Sequence, residues 1–250
     1  MQEFRYMSDL HLESNPIEFP PEGNPDQVLL LIGDIVAGQT VWDKTLMNNI
    51  KDLLRWANQF KRTIWIPGNH EYNNFDSIAE CHTFFTNLLK EENATNIRFS
   101  PMGTEHFVDT VLIWATLWTD FGNDWFAKQA CKNFYDFESN RELNPDKVSN
   151  ISDLQVAYIS EAASKYKRQG KRVIVATHFP PSSHFSGCRG SVTDAYFYRD
   201  CESIFPDVDV WLYGHSHLNK PFSSELITVS SNQLGYGLED GDGFDFHATV

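Results

Sequence analysis

The stretch Thr63-Ile64-Trp65-Ile66-Pro67-Gly68-Asn69-His70-Glu71 decides how the rest of the chain reads. An apolar, β-branched run that stops at Pro-Gly predicts a buried strand ending in a tight turn, and the turn presents an amide and an imidazole side by side. One such residue can hold a metal while its neighbour moves a proton.

Four other fragments share this form, each just after an apolar run. They are Ser8-Asp9-Leu10-His11, Gly33-Asp34, Thr177-His178 and Gly214-His215-Ser216-His217. Five of the nine histidines fall in the five fragments. Asp9 and His11 stand two residues apart, as do His215 and His217, so in extended backbone each pair projects to one side and can grip one ion. Ligand-type residues at strand ends, with glycines for sharp turns, are what an open α/β sheet needs to gather a site at its carboxyl edge. Each fragment alone has a plainer reading: Gly-Asp is a common turn, and a lone histidine can bond a carbonyl in the core.

In order, Asp-x-His, Gly-Asp, Gly-Asn-His-Glu, His and Gly-His-x-His resemble the calcineurin-like metallophosphoesterase superfamily, from position 8 to position 217. The resemblance implies an α/β fold, a four-layer α/β/β/α sandwich with its site at the carboxyl ends of the strands. It also implies dinuclear hydrolysis of phosphate esters. By resemblance Asp9, His11 and His217 hold a first ion, Asn69, His178 and His215 a second, and Asp34 bridges them. His70 is then the general acid.

The residue count agrees. Seven ligand-type groups exceed what one tetrahedral ion takes, and cysteine is absent from the set, which argues against a structural zinc site. Mixed oxygen and nitrogen ligation suits manganese, the expected metal, and also Fe, Zn, Co or Ni, rather than Mg or Ca. Two cations about 3.5–4 Å apart lower the pKa of a bridging water toward 7, so hydroxide is available to attack phosphorus in line. The leaving alkoxide needs a proton, and a positioned acid such as His70 contributes on the order of 10²–10⁴-fold. The plainer role for His70 is a hydrogen bond that holds its loop.

Two departures narrow the substrate. Gly33-Asp34 continues as Ile35-Val36-Ala37-Gly38 without the Asp-Arg-Gly extension of phosphoprotein phosphatases, and Leu12 rather than Gly follows His11. Both point toward phosphodiesters, nucleotides or other small phosphate esters. A nuclease of the same superfamily is the enzymatic alternative, and a catalytically silent adaptor of this fold is the alternative of another class.

The formal net charge of −14 on 250 residues disfavours broad attraction to nucleic acid or an anionic membrane, which leaves nucleic acid only as a substrate. Cys81, Cys131, Cys188 and Cys201 form no CxxC pair, so a reducing, cytoplasmic setting is expected. No signal peptide is readable and no apolar run approaches membrane-spanning length.

A single domain over 1–250 is expected. Strands are predicted near 2–7, 28–32, 63–66, 96–99, 105–109, 111–116, 172–176, 209–213 and 226–229. Helices are predicted over 41–60, from an Asp76 N-cap to Glu91, and from a capping box at Ser152 to Arg168. Residues 117–150 are rich in aromatics, among them Trp118, Phe121, Phe134 and Tyr135, and form either a cap over the site or a satellite core. In the loop after His178, Arg189 is a candidate bidentate donor to a substrate phosphate, against the plainer reading of a solvated surface residue. Residues 235–250 form a Gly- and Asp-rich tail, flexible or at a sheet edge.

Overall fold

Val28–Ile32 is buried at every position, as a strand covered on both faces requires, and it sits near the middle of the first of two sheets. The computed structural model describes residues 2–38, 44–187, 190–237 and 243–250. Strands β1 (Phe4–Met7), β2 (Val28–Ile32), β3 (Arg62–Ile66) and β4 (Ile97–Phe99) pair in parallel in that order.

The second sheet holds β5 (Met102–His106), β6 (Thr110–Ala115), β7 (Arg172–Thr177), β8 (Val210–Tyr213), β9 (Phe222–Ser223) and β10 (Thr228–Ser231). Its order is β5-β6-β7-β8-β10-β9, parallel except for the antiparallel edge strands β5 and β9.

Side chains alternate between faces along a strand, so each apolar run divides in two. Phe4, Leu30, Ile64, Trp114, Ile174 and Leu212 form one cluster between the sheets. Their neighbours Leu29, Leu31, Trp65, Ile113, Val175 and Trp211 belong to the outer cluster, which the helices cover. Residues Ile50, Leu53 and Leu54 of α1 (Lys44–Ala57) and Cys81, Phe85 and Leu88 of α2 (Ile78–Glu91) join that outer cluster. Two short helices, α3 (Trp125–Cys131) and α4 (Tyr135–Glu138), precede the long α5 (Pro145–Arg168), which packs on β6 and β7. The architecture is the expected α/β/β/α sandwich.

Several local expectations are corrected. Ser77, not Asp76, caps α2: its extended backbone lets the hydroxyl accept from Glu80 N, while Asp76 pairs with Arg141 at 3.2 Å. Helix α5 begins seven residues before Ser152, with Asn144 accepting from Lys147 N at 2.9 Å and Pro145 in the first turn. Ser152 and Gln155 have capping-box spacing, but both are buried and bind the Trp118 backbone instead. The hairpin strand β5 lies earlier than expected, because the turn falls where Phe107 N bonds Thr110 O at 2.8 Å.

The C-terminal residues take the edge alternative. Phe4 N donates to Val250 O at 3.1 Å and Val250 N to Phe4 O at 2.9 Å, so 248–250 run antiparallel to β1. Segment 117–150 divides its residues: Phe121, Ala127, Cys131 and Phe137 enter the outer core, while 133–136 line a cleft. The expected start of α1 at Val41 with Trp42, the loop residues Cys188 and Arg189, and the Asp240–Asp242 run lie outside the described residues. Among the described residues, no helix is long and apolar enough to cross a membrane.

Leu30 is fully buried between the sheets and Leu154 on α5 is 70% exposed. Leu30→Ala is therefore expected to lower unfolding free energy by about 2–5 kcal/mol, and Leu154→Ala by at most about 0.5 kcal/mol, in urea titrations.

Candidate metal centre

Five strands end where the ligand-type fragments begin: Asp9 and His11 follow β1, Asp34 follows β2, Asn69 and His70 follow β3, His178 follows β7, and His215 and His217 follow β8. The backbone turns sharply at each. Asp9, His11, Asp34, His215 and His217 all have positive φ, between 43° and 70°, a conformation unfavourable for residues with a Cβ. Glycines admit the close approach that follows. A Cβ on Gly33 would overlap the His178 ring, one on Gly68 would overlap the Asp34 carboxylate, and one on Gly214 would stand 2.7 Å from Asp9 Oδ2.

All seven expected ligand residues converge in two groups. In the first, His11 Nε2 lies 3.0 Å from His217 Nε2, and His217 Nε2 lies 3.4 Å from Asp9 Oδ1. The His11 Nδ1–H donates to Glu13 Oε1 at 2.9 Å, which fixes the ring and presents the Nε2 lone pair inward. In the second group, His178 Nδ1–H donates to the Ile32 carbonyl at 2.9 Å, so its Nε2 faces Asn69 Oδ1 at 3.0 Å and Asp34 Oδ2 at 3.3 Å. His215 completes this group, with its ring against Phe179 and Phe197 and its buried Nε2 lacking a hydrogen-bond partner among the described residues.

These contacts set lone pairs against lone pairs. Either protons or cations have to lie between them, and the pKa shifts reflect the same crowding. Burial lowers His178, but Asp34 and Asp9 push it up to about 9. Burial raises Asp34, yet the neighbouring imidazoles of His178 and His70 hold it well below the usual carboxylate range. His215, buried and beside His178, is pushed well below the ordinary histidine value. The donor set, oxygen and imidazole without thiolate, fits divalent transition metals.

Residues 7–219 match the sequence profile of the calcineurin-like phosphoesterases. The chain belongs to that family. It is therefore a phosphoric ester hydrolase with a metal-binding donor set. This phosphoesterase is 25% identical to the uncharacterized protein L509 of Acanthamoeba polyphaga mimivirus, over 96% of its own length and 93% of the relative's. Its fold is similar to that of a phosphopantetheinyl hydrolase from Mycobacterium tuberculosis, with TM-score 0.67, 16% identity, and 96% and 91% of the two chains covered. A dimetal phosphatase from Danio rerio has TM-score 0.54 at 12% identity, with 94% and 88% covered.

Further residues of the phosphoesterase serve the site without having been picked out in the sequence. Glu71 is fully buried and accepts from Asp34 N, Ile35 N, Val36 N, Gly68 N and Trp65 Nε1, tying the loop after β2 to the loop after β3. Burial and Asp34 push its carboxyl up to about 7, but the five N–H groups are satisfied by the carboxylate form. Glu71 stands inside the stretch that opens the reading, and its place beside two ligand-type residues was the available signal. Glu13 repeats the two-residue spacing after His11, a weaker one. Asp136, Tyr196 and Tyr236 come from segments with no local motif.

His70 lies beside the ligands rather than among them. Its backbone N donates to Asp34 Oδ1 at 2.9 Å, and its Nε2 lies 3.9 Å from Asp34 Oδ2 and 3.1 Å from the Tyr236 hydroxyl. Burial lowers its pKa, but Asp34, Asp136 and Glu13 together hold it above the ordinary value. The Tyr236 ring lies over His11 with centroids 4.1 Å apart. A cleft of about 710 Å³ opens above Asp34, Asn69, His215 and His217, walled by Phe134, Tyr135, Phe197 and Tyr236.

Glu71→Gln sets an amide N–H₂ against N–H donors and is expected to cost about 3 kcal/mol of stability, read by thermal and urea unfolding. Gly68→Ala is expected to weaken divalent-metal binding by at least about tenfold in a dialysed sample, because its methyl would fill the space beside Asp34.

Proposed function

We propose that the protein is a dinuclear, metal-dependent hydrolase of small phosphate esters or phosphodiesters, with manganese as its metal. The observation that carries this reading is the convergence of seven lone-pair donors into two groups, with Asp34 beside His178 and His215 in the second. Asp9, His11 and His217 would hold one ion and Asn69, His178 and His215 the other, with Asp34 as the bridge between them. Bound there, two divalent cations would supply Lewis acidity toward a phosphoryl group and a lowered pKa for coordinated water.

The chain's own residues supply the rest. Glu13 and the Ile32 carbonyl fix the rings of His11 and His178, so the ligand nitrogens are oriented before any ion arrives. His70, with Nε2 3.9 Å from Asp34 Oδ2 at the edge of the donor set, is placed to give a proton to the departing ester oxygen. The aromatic walls of the cleft suit a leaving group with a flat or apolar part. Buried free Cys81, Cys131 and Cys201 suit a reducing, cytoplasmic compartment.

The test combines metal content with turnover of bis-p-nitrophenyl phosphate and p-nitrophenyl phosphate. The manganese-loaded protein should bind two ions and hydrolyse at least one ester; turnover of neither would overturn the enzyme reading in favour of a silent adaptor. His70→Ala should keep both ions and lose on the order of 10²–10⁴-fold on alkyl esters, with a smaller loss on nitrophenyl esters, whose leaving group needs little protonation. Equal losses across leaving groups would remove the acid role. Asp34→Asn should weaken both ions together, and unchanged metal content would remove Asp34 as the bridge.

A further inference from the structure

Asn69 is the one expected ligand whose side chain has two nearly identical ends. An amide presents an oxygen acceptor on one side and an N–H₂ donor on the other, and the two differ little in shape. Only the oxygen can face a cation. Turned by 180°, the same side chain would aim two N–H bonds at the ion and repel it. Something has to select the orientation.

The side chain that faces the amide from behind is Asp136. It is 8% exposed, comes from α4, and belongs to the segment that the sequence reads as a cap over the site or a satellite core. Its Oδ1 accepts from Asn69 Nδ2 at 3.1 Å, and its Oδ2 accepts from the Tyr196 hydroxyl at 2.7 Å. An ionised carboxylate accepts and never donates. Asp136 is therefore satisfied only while Asn69 shows it the nitrogen, and that leaves Asn69 Oδ1 against His178 Nε2, at 3.0 Å.

Tyr196 holds the carboxylate in turn. Its ring is 3% exposed and lies among Phe134, Phe137 and Phe179. It also meets the His215 ring at 5.5 Å and 71°. One tyrosine thus touches His215 directly and reaches Asn69 through Asp136. With His178, which faces the Asn69 oxygen, those two residues make up the donor group assigned to the second ion. None of these contacts reaches Asp9, His11 or His217.

We propose that Asp136, anchored by Tyr196, is the positioning residue that fixes the Asn69 amide with its oxygen toward the second ion, and so sets the affinity of that ion alone. The inference rests on the reading of Asn69 as a ligand. It also gives α4 two duties. The residues just before Asp136, Phe134 and Tyr135, line the cleft, so the wall that meets a substrate and the clamp that aims the ligand share one short helix.

The test is calorimetric titration of the full chain with manganese chloride, with metal content after dialysis as the second readout and thermal melting as the check on folding. The unaltered protein should show two binding steps. Asp136→Ala should weaken one step by about 10–100-fold and leave the other unchanged. Asp136→Asn should stay within about threefold of the unaltered protein, since an amide there can accept from Asn69 with its oxygen and donate to Tyr196 with its nitrogen. Should Asp136→Ala fail to fold, a swapped pair gives the same answer. Asn69→Asp alone sets two carboxylates together and should bind the second ion poorly, whereas Asn69→Asp with Asp136→Asn restores one donor between them and should recover it.

A folded Asp136→Ala protein with two unaltered binding steps would overturn the proposal, as would a double variant no better than Asn69→Asp. A loss in Asp136→Asn as large as in Asp136→Ala would show that charge, not amide orientation, sets the affinity, and would overturn it as well. Asn69→Ala separates this failure from that of the underlying reading: if it too leaves both steps intact, Asn69 is no ligand; if it removes one step while Asp136→Ala removes none, only the positioning role falls.

Discussion

Lone pairs that repel one another are held within hydrogen-bonding distance where the carboxyl ends of the two sheets meet, and much of the surrounding structure exists to keep them there. The backbone carries part of that load. Five of the seven ligand-type residues sit in the left-handed region, which costs on the order of 1–3 kcal/mol each outside glycine. Glu71 offsets some of it by collecting N–H groups from both loops, and Gly33, Gly68 and Gly214 leave room where any side chain would collide. The core of two apolar clusters is then less an end in itself than the frame that fixes five strand ends relative to one another.

The frame and the inner ring of the site were largely legible in the sequence, and for a physical reason. A strand buried on both faces is apolar at every position, so Val28–Ile32 and Arg172–Thr177 announce themselves, and a ligand residue placed at the end of such a strand stands next to its own signal. Helix starts were harder. Ser152 and Gln155 have the spacing of a cap, but their partner is the Trp118 backbone, far away in sequence, and no local rule distinguishes the two uses.

The outer ring of the site was not legible, because its members reach it only through tertiary contact. Asp136 lies 67 residues from Asn69, and Tyr236 lies 166 residues from His70. Neither carries a spacing or turn pattern that marks it. Segment 117–150 reads as aromatic and irregular for the same cause: its Phe121 and Phe137 answer to the core, its Phe134 and Tyr135 to the cleft, and a single periodicity cannot serve both. Function at this site is thus divided. Strand ends supply the donors, and residues distant in sequence, such as Asp136 behind Asn69 and Tyr236 over His11, pack against them.

The pairing of residues 248–250 with β1 has a further consequence for behaviour in solution. A parallel sheet with open sides offers unpaired N–H and C=O groups to neighbouring molecules, and such edges seed aggregation. Here one side of the first sheet is closed by the chain's own last residues, and its other side is β4, only three residues long. The second sheet ends at β9, which has two. These three borders leave little length for intermolecular strand addition, and the fourth, β5, has five residues with Gly103 near its start and Glu105 near its end.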